Sequence, residues 1–219
     1  MAITPEPNVT GTVFIVDDDA NFARGLARLI GAAGWQAQVF GSAADFLAHA
    51  RIEEVKPGCV VLDVKMPGMP GPELHRAMVA REMDIPVIFL TGHGDVPTSV
   101  DAMKLGAIDF LEKPVLAERL TAAIRVAFGR HEAGRLRREE RREIEARLES
   151  LTPREREVMA HVIAGRLNKQ IASDLGISIK TVKAHRAKMM HKMHARSVAA
   201  LVDLCREAGI HAAVPAAPA

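Results

Sequence analysis

The 219-residue sequence predicts an α/β domain with a five-stranded parallel, doubly wound sheet over residues 11–128, a helical linker over 129–148 and an all-α four-helix domain over 149–211. Three observations predict it. Five short apolar runs in the first half each lead into a segment with helical spacing, and buried strands alternating with helices imply a parallel sheet covered on both faces. From about Arg125 the composition turns to Arg and Glu with few apolar residues. The last third carries helix start and stop signals throughout.

After a loose lead-in at 1–11, Thr12–Val16 (TVFIV) reads as a strand ending at Asp17, Asp18 and Asp19. Residues 20–33 set Phe22, Leu26, Leu29 and Ile30 at helical spacing, and Gly34 suits a C-cap. Trp35–Phe40 is a second strand. Ser42–Ala50 is a second helix, with Ser42 as N-cap and Asp45 in the capping-box position. Cys59–Leu62 is the apolar run expected of a buried parallel strand. It ends at Asp63, and a Met66–Gly71 loop (MPGMPG) leads to a helix over Pro72–Glu82. Pro86–Leu90 is the fourth strand and ends at Thr91. A helix over 97–105 stops at Gly106, Ala107–Leu111 is the fifth strand, Lys113-Pro114 closes it, and a helix starts near Ala117.

In the Arg/Glu-rich stretch, Leu136, Ile144 and Leu148 form a loose helical stripe among charges spaced three or four apart. This describes a helical spacer that can carry a weak self-association seam, although Gly129 and Gly134 count against helix near its start. Thr152, Pro153 and Glu155 then fit N-cap, N1 and N3 of a capping box. That helix runs to about Ala164, with Val158, Val162 and Ile163 inward. A short helix over Asn168–Leu175, a turn at Gly176, a helix over Ile179–Met193 and another over Arg196–Glu207 follow, with Gly209 as the stop. The Ala/Pro tail, 212–219, has few apolar anchors and is expected to be disordered.

Composition narrows the function. Apolar content of 48% with 26% charged residues fits an ordinary soluble protein. No apolar run of membrane-spanning length occurs, and the N-terminus has neither the basic nor the apolar region of a signal peptide. Cys59 and Cys205 fall in different predicted domains, so no disulfide framework and a cytoplasmic location are expected. Charge is unevenly spread. Residues 1–129 carry 11 basic against 16 acidic side chains, 130–150 carry 7 against 6, and 151–219 carry 11 against 5. A basic C-terminal third points to a nucleic-acid partner for that end alone.

All strands of a parallel sheet point one way, so Asp17–Asp19, Asp63, Thr91 and Lys113 gather at one edge, where open α/β sheets place their sites. Asp17, Asp18 and Asp63 offer oxygen-only ligation, which suits Mg²⁺ and not zinc. With the Lys113 ammonium and the Thr91 hydroxyl beside it, Asp63 has what a carboxylate needs to accept a phosphoryl group. Singly, these residues have plainer readings as caps, a turn former and an exposed lysine. No P-loop and no dinucleotide fingerprint is present.

In the C-terminal part, two helices separated by the Gly176 turn have helix-turn-helix spacing. Val182, Met189 and Met193 lie on one stripe of the longer helix and are expected in the core, while Lys183, Arg186 and Met190 are expected on a different side. Small Ala184 permits entry to a major groove, and flanking cations can meet phosphates. His185, His191 and His194 lack partners at metal-ligand spacing.

Four stretches carry a family resemblance: Val13–Asp19 (VFIVDDD), Leu62–Gly71 (LDVKMPGMPG), Leu90–Asp95 (LTGHGD) and Gly106–Pro114 (GAIDFLEKP). Residues 11–128 resemble the flavodoxin-like receiver domain of bacterial response regulators, and the Thr-Gly-His-Gly-Asp sequence is similar to the FixJ type. Leu151–Val158, Asn168–Ala172, Leu175–Ser178, Thr181–Arg186 and Lys192-Met193 resemble the helix-turn-helix domain of the LuxR/NarL/FixJ group.

The resemblance implies a transcriptional response regulator, not a turnover enzyme, that accepts phosphate on Asp63 from a sensor histidine kinase. It implies Mg²⁺ on Asp17, Asp18, Asp63 and the Lys65 carbonyl, Lys113 on the phosphoryl oxygen, Thr91 and Phe110 as the switch pair, and a cis Lys113–Pro114 bond. Phe110 stands where the family often has Tyr, which keeps the ring and loses the hydroxyl. Phosphorylation is expected to pair two copies through the 97–105 helix, the fifth strand and the next helix, and to seat them on a two-fold duplex DNA site. Lys183, Ala184 and the Arg186–Ala187 region are expected at base edges, and Lys169, Thr181 and Lys188 at the backbone. RNA polymerase is a further expected partner. Competing readings are a constitutive dimer that needs no phosphate, an aspartyl-phosphate enzyme, which Lys65 disfavours because that class places a second Asp there, and a protein-interaction module without DNA.

Overall fold

A computed structural model describes residues 11–50, 57–92 and 106–209, and the chain divides into two compact units at Arg135/Leu136. The first unit holds β1 (Thr12–Val16), α1 (Ala20–Ala32), β2 (Gln36–Phe40), α2 (Ala43–His49), β3 (Gly58–Asp63), α3 (Gly71–Ala80), β4 (Val87–Thr91) and β5 (Asp109–Glu112). The helix α4 (Ala117–Glu149) follows, then α5 (Pro153–Ile163), α6 (Asn168–Leu175), α7 (Ile179–Lys192) and α8 (Val198–Glu207).

The five strands form one parallel sheet in the order β2-β1-β3-β4-β5, the doubly wound arrangement expected. Every residue of β1 and β3 is buried, as unbroken apolar runs in a two-sided sheet must be. Alternate residues feed two cores. Phe14, Val16, Val60, Leu62 and Phe89 pack on one face with α2 and α3. Val13, Ile15, Cys59, Val61, Ile88 and Leu90 pack on the other with α1 and the first turns of α4.

The register sets the site. Val16 pairs with Leu62, so Asp17 and Asp63 extend side by side from β1 and β3. Asp63 pairs with Leu90 and Thr91 with Glu112, which brings Thr91 and Lys113 to the same edge.

Some boundaries differ from expectation. Trp35 is not in β2, because its N–H closes the end of α1 on the Ile30 carbonyl at 3.2 Å. The fifth strand runs Asp109–Glu112 and not 107–111, since pairing with β4 begins at Ile88 opposite Asp109. The last helix begins at Val198 and not Arg196, because the Ser197 hydroxyl accepts the Ala200 N–H and caps it there. The expected 97–105 helix and the 212–219 tail lie outside the described residues.

Gly129 and Gly134 do not interrupt α4, a single 33-residue helix. Leu120, Ala123, Ile124, Ala127 and Phe128 hold its first turns on the sheet. Intrahelical ion pairs Glu132–Arg135, Arg141–Glu145 and Glu143–Arg147 line its later turns. Ile144 and Leu148, near its end, pack with the core of the second unit, among Leu151, Val158, Val162, Ile171, Val182, Met189, Met193, Leu201 and Cys205. Cys59 and Cys205 are free and buried.

Candidate functional site

At the carboxyl edge of the sheet, carboxylate oxygens of Asp17, Asp18 and Asp63 lie within 4.8 Å of one another. Asp17 and Asp63 are buried and Asp18 is exposed. The Lys113 ammonium sits between the two buried carboxylates, 2.7 Å from Asp17 Oδ2 and 2.8 Å from Asp63 Oδ1. The Phe22 ring lies under it, with the ring centre 4.3 Å from Nζ. One cation facing three carboxylates leaves an excess of negative charge. Such an oxygen-only set with one member open to solvent fits Mg²⁺, which keeps part of its water shell.

The protonation balance follows from this crowding. Burial pushes the Asp63 pKa up, Lys113 pulls it down and the Asp17 charge pushes it up again, and the sum is a raised value. Burial works against the Lys113 ammonium, but Asp17 and Asp63 outweigh it and its pKa is raised.

Asp19 has a separate task. It is the N-cap of α1 and accepts from the Asn21 and Phe22 amides at 2.9 and 3.1 Å, which hold its pKa below the usual carboxylate value. The Asp19 N–H in turn donates to Asp17 Oδ1 at 2.9 Å and orients that carboxylate. The Lys65 amide does the same for Asp63 Oδ2 at 3.2 Å.

Thr91 ends β4. Its hydroxyl donates to the Gly92 carbonyl at 3.0 Å, and its own carbonyl accepts from the Lys113 amide at 2.8 Å. The half-buried Phe110 ring stacks on Phe89 with centroids 4.8 Å apart and planes 20° apart. The Lys113–Pro114 peptide is cis.

Gly71 belongs to the site and was not singled out from the sequence. A Cβ there would lie 2.2 Å from the Asp63 carbonyl oxygen, so only glycine lets α3 begin against the end of β3. The signal was available in the second Pro-Gly of the MPGMPG loop, but nothing in the sequence distinguishes Gly71 from Gly68, whose Cβ would meet nothing within 4 Å.

In the second unit, α5, α6, α7 and α8 enclose one core. The Thr152–Glu155 capping box forms in both directions. Gly176, left-handed at φ 64°, turns α6 into α7, and the Ser178 hydroxyl caps α7 through the Thr181 amide at 3.0 Å. Val182, Met189 and Met193 are buried, and Lys169, Lys183, Ala184 and Lys188 are exposed. The Thr181 hydroxyl is shared with Ser178 at 2.8 Å. Arg186 is half-buried, and its Nη1 donates to Asn168 Oδ1, 2.8 Å away at the first residue of α6.

Comparison with known proteins decides the family. Residues 13–125 match the response regulator receiver domain, and residues 149–205 match the bacterial regulatory proteins of the luxR family. The chain belongs to the NarL/FixJ-type response regulators. It is 44% identical over 200 residues to the transcriptional regulatory protein FixJ of Bradyrhizobium diazoefficiens, covering 91% of this chain and 97% of that one. It is also 44% identical to the C4-dicarboxylate transport transcriptional regulatory protein DctR of Rhodobacter capsulatus over 89% of this chain and 98% of that one. The solved response regulator StyR, at 44% identity, aligns with a TM-score of 0.79 over 90% of this chain and 98% of its own. As a response regulator of this type, the chain is a DNA-binding transcription factor and not a turnover enzyme. Among the described residues, no helix is long and apolar enough to cross a membrane.

Proposed function

We propose that this response regulator takes a phosphoryl group from a sensor histidine kinase onto Asp63, and that the added charge pairs two copies on a two-fold DNA site. The observation that carries this is the placement of the Lys113 ammonium within 2.8 Å of Asp63 beside two further carboxylates. In the transfer, an Asp63 Oδ attacks phosphorus in line, the P–N bond to the kinase histidine breaks, and its electron pair leaves on the imidazole nitrogen. Asp17, Asp18, Asp63 and the Lys65 carbonyl would hold Mg²⁺, which when bound neutralises charge on the phosphoryl oxygens. Lys113 exchanges a carboxylate partner for a phosphoryl oxygen.

The acyl phosphate brings extra negative charge and new acceptors to a site where Thr91 and Lys113 are already joined through backbone. The Thr91 hydroxyl leaves the Gly92 carbonyl for a phosphoryl oxygen, and the Phe110 ring settles inward behind it. The surface that includes β5 and the start of α4 then changes shape and pairs with a second copy. Two α7 helices reach a duplex whose symmetry matches the dimer. Contact with RNA polymerase, in the cytoplasm, completes the reading.

The test is labelling with acetyl [³²P]phosphate in Mg²⁺, followed by sedimentation. The wild-type chain takes up acid-labile label and shifts toward dimer; Asp63→Asn does neither and keeps its circular dichroism spectrum. Undiminished label on that variant sinks the assignment.

A further inference from the structure

Arg186 does not lie with the exposed residues of α7. Each residue of an α-helix advances about 100°, so relative to the buried Val182, Lys183 stands at about 100°, Ala187 at about 140°, Lys180 at about 160° and Ala184 at about 200°. All four are exposed and face away from the core, which is the side that can enter a groove. Arg186 stands only about 40° from Val182, on the flank beside the core stripe. It is half-buried there, and Asn168 holds its guanidinium at 2.8 Å. Arginine has no acceptor, so the amide oxygen of Asn168 must be the atom facing it. The Arg186 guanidinium makes no other hydrogen bond among the described residues. An α-helix with side chains is about 10–12 Å across and the major groove about 12 Å wide, so flank residues meet groove walls, where the phosphates run, and not the base edges on the floor.

We propose that Arg186 grips a backbone phosphate and reads no base, and that Asn168 is its positioning residue. This departs from the base-edge role expected for Arg186 and rests on the reading of α7 as the helix that enters DNA. Sequence preference is left to Lys180, Lys183, Ala184 and Ala187. Fixing the guanidinium against α6 removes much of the rotamer freedom that a long side chain otherwise loses on binding.

The test selects duplexes from a randomised library with the full-length chain, with and without acetyl phosphate and Mg²⁺. Affinity is then measured against salt for the selected duplex and for an unrelated one. Arg186→Gln removes the charge and keeps a polar, though shorter, side chain. It is expected to select the same consensus as wild type, to weaken both duplexes by a common factor of about 10, and to lower the slope of log K against log salt by about 0.9. Asn168→Ala weakens both by a common factor of about 5 and has no further effect once Arg186 is Gln. A consensus relaxed at one position by Arg186→Gln, an unchanged slope, or an Asn168→Ala effect that persists in the double variant overturns the proposal. A wild-type chain that selects no duplex overturns the DNA reading itself, a different and recognisable outcome. Thermal melts show whether each variant folds, and Arg186→Gln decides the matter alone if Asn168→Ala does not.

Discussion

Lys192, the last residue of α7, places its ammonium 2.7 Å from the buried carboxylate of Glu155 in the first turn of α5. The same ammonium donates to the Ser150 carbonyl at 2.9 Å, and Glu155 accepts the Thr152 amide. Glu155 therefore ties the start of α5 to the end of the helix that carries the exposed cations. Lys192 first, then the Thr152 amide, pulls the Glu155 pKa down to about 2. A depressed acid stabilises fully above its unfolded value, near 4.5, and loses that contribution as pH falls toward 2. Glu155→Gln is expected to cost the second unit about 2 kcal/mol at pH 7. Thermal melts at descending pH should show the gap between wild type and variant closing below pH 4.5. A gap that stays constant to pH 2.5 removes this role from Glu155.

Asp63 behaves in the opposite sense. Burial, eased by Lys113 and aggravated by Asp17, raises its pKa. An acid raised above its unfolded value costs stability once pH rises through its folded pKa. Asp63→Asn should therefore raise the melting temperature of the first unit at pH 7 without divalent cations, by about 4 °C for a change near 1 kcal/mol. Added Mg²⁺ should raise the wild type and erase the difference. Scanning calorimetry with and without Mg²⁺ checks both halves, and a variant less stable than wild type in the metal-free sample contradicts the expectation.

Gly71→Ala brings a methyl group to 2.2 Å from a backbone oxygen, where no side chain can yield. The strand end or the start of α3 must move, at a cost of about 3 kcal/mol. Label uptake from acetyl phosphate should fall because the Asp63 carbonyl is the atom displaced. Gly68→Ala, in open space at φ 79°, should cost only about 1 kcal/mol from left-handed strain and spare the labelling.

His131, on α4, accepts the Gly58 N–H at its Nδ1, 2.9 Å away at the start of β3. Burial lowers its pKa first, Glu132 raises it and Arg135 lowers it, with a net lowering. A histidine held neutral in the fold gives stability that is full above 6.5 and is lost as pH falls below that value. The melting temperature of the first unit should drop between pH 6.5 and 5.5 by more in wild type than in His131→Gln, whose amide oxygen can accept the same N–H without titrating. Equal drops would falsify it.

What the sequence made legible follows from how local each signal is. The parallel sheet and the gathering of Asp17, Asp18, Asp63, Thr91 and Lys113 at one edge were readable because buried strands announce themselves as apolar runs and their ends share one edge. The Thr152–Glu155 capping box was readable because its partners are three residues apart. Contacts between residues far apart in sequence were not. Gly58 and His131, Glu155 and Lys192, and Asn168 and Arg186 are separated by 73, 37 and 18 residues, and no spacing rule joins them. Phe22 under Lys113 was hidden differently, since it lies on an α1 stripe that already explained it as core.

Ile144, only 1% exposed, lies five residues before the luxR-family match begins at 149, yet its side chain is part of the second core. Evolutionary kinship and folding autonomy therefore have different starting points along this polypeptide. A fragment cut at 149 would surrender Ile144 and Leu148 and leave a vacancy in that core, comparable to a large-to-small core replacement worth about 2–5 kcal/mol. Dissection of the effector half should begin near Leu136, where the compact unit itself begins.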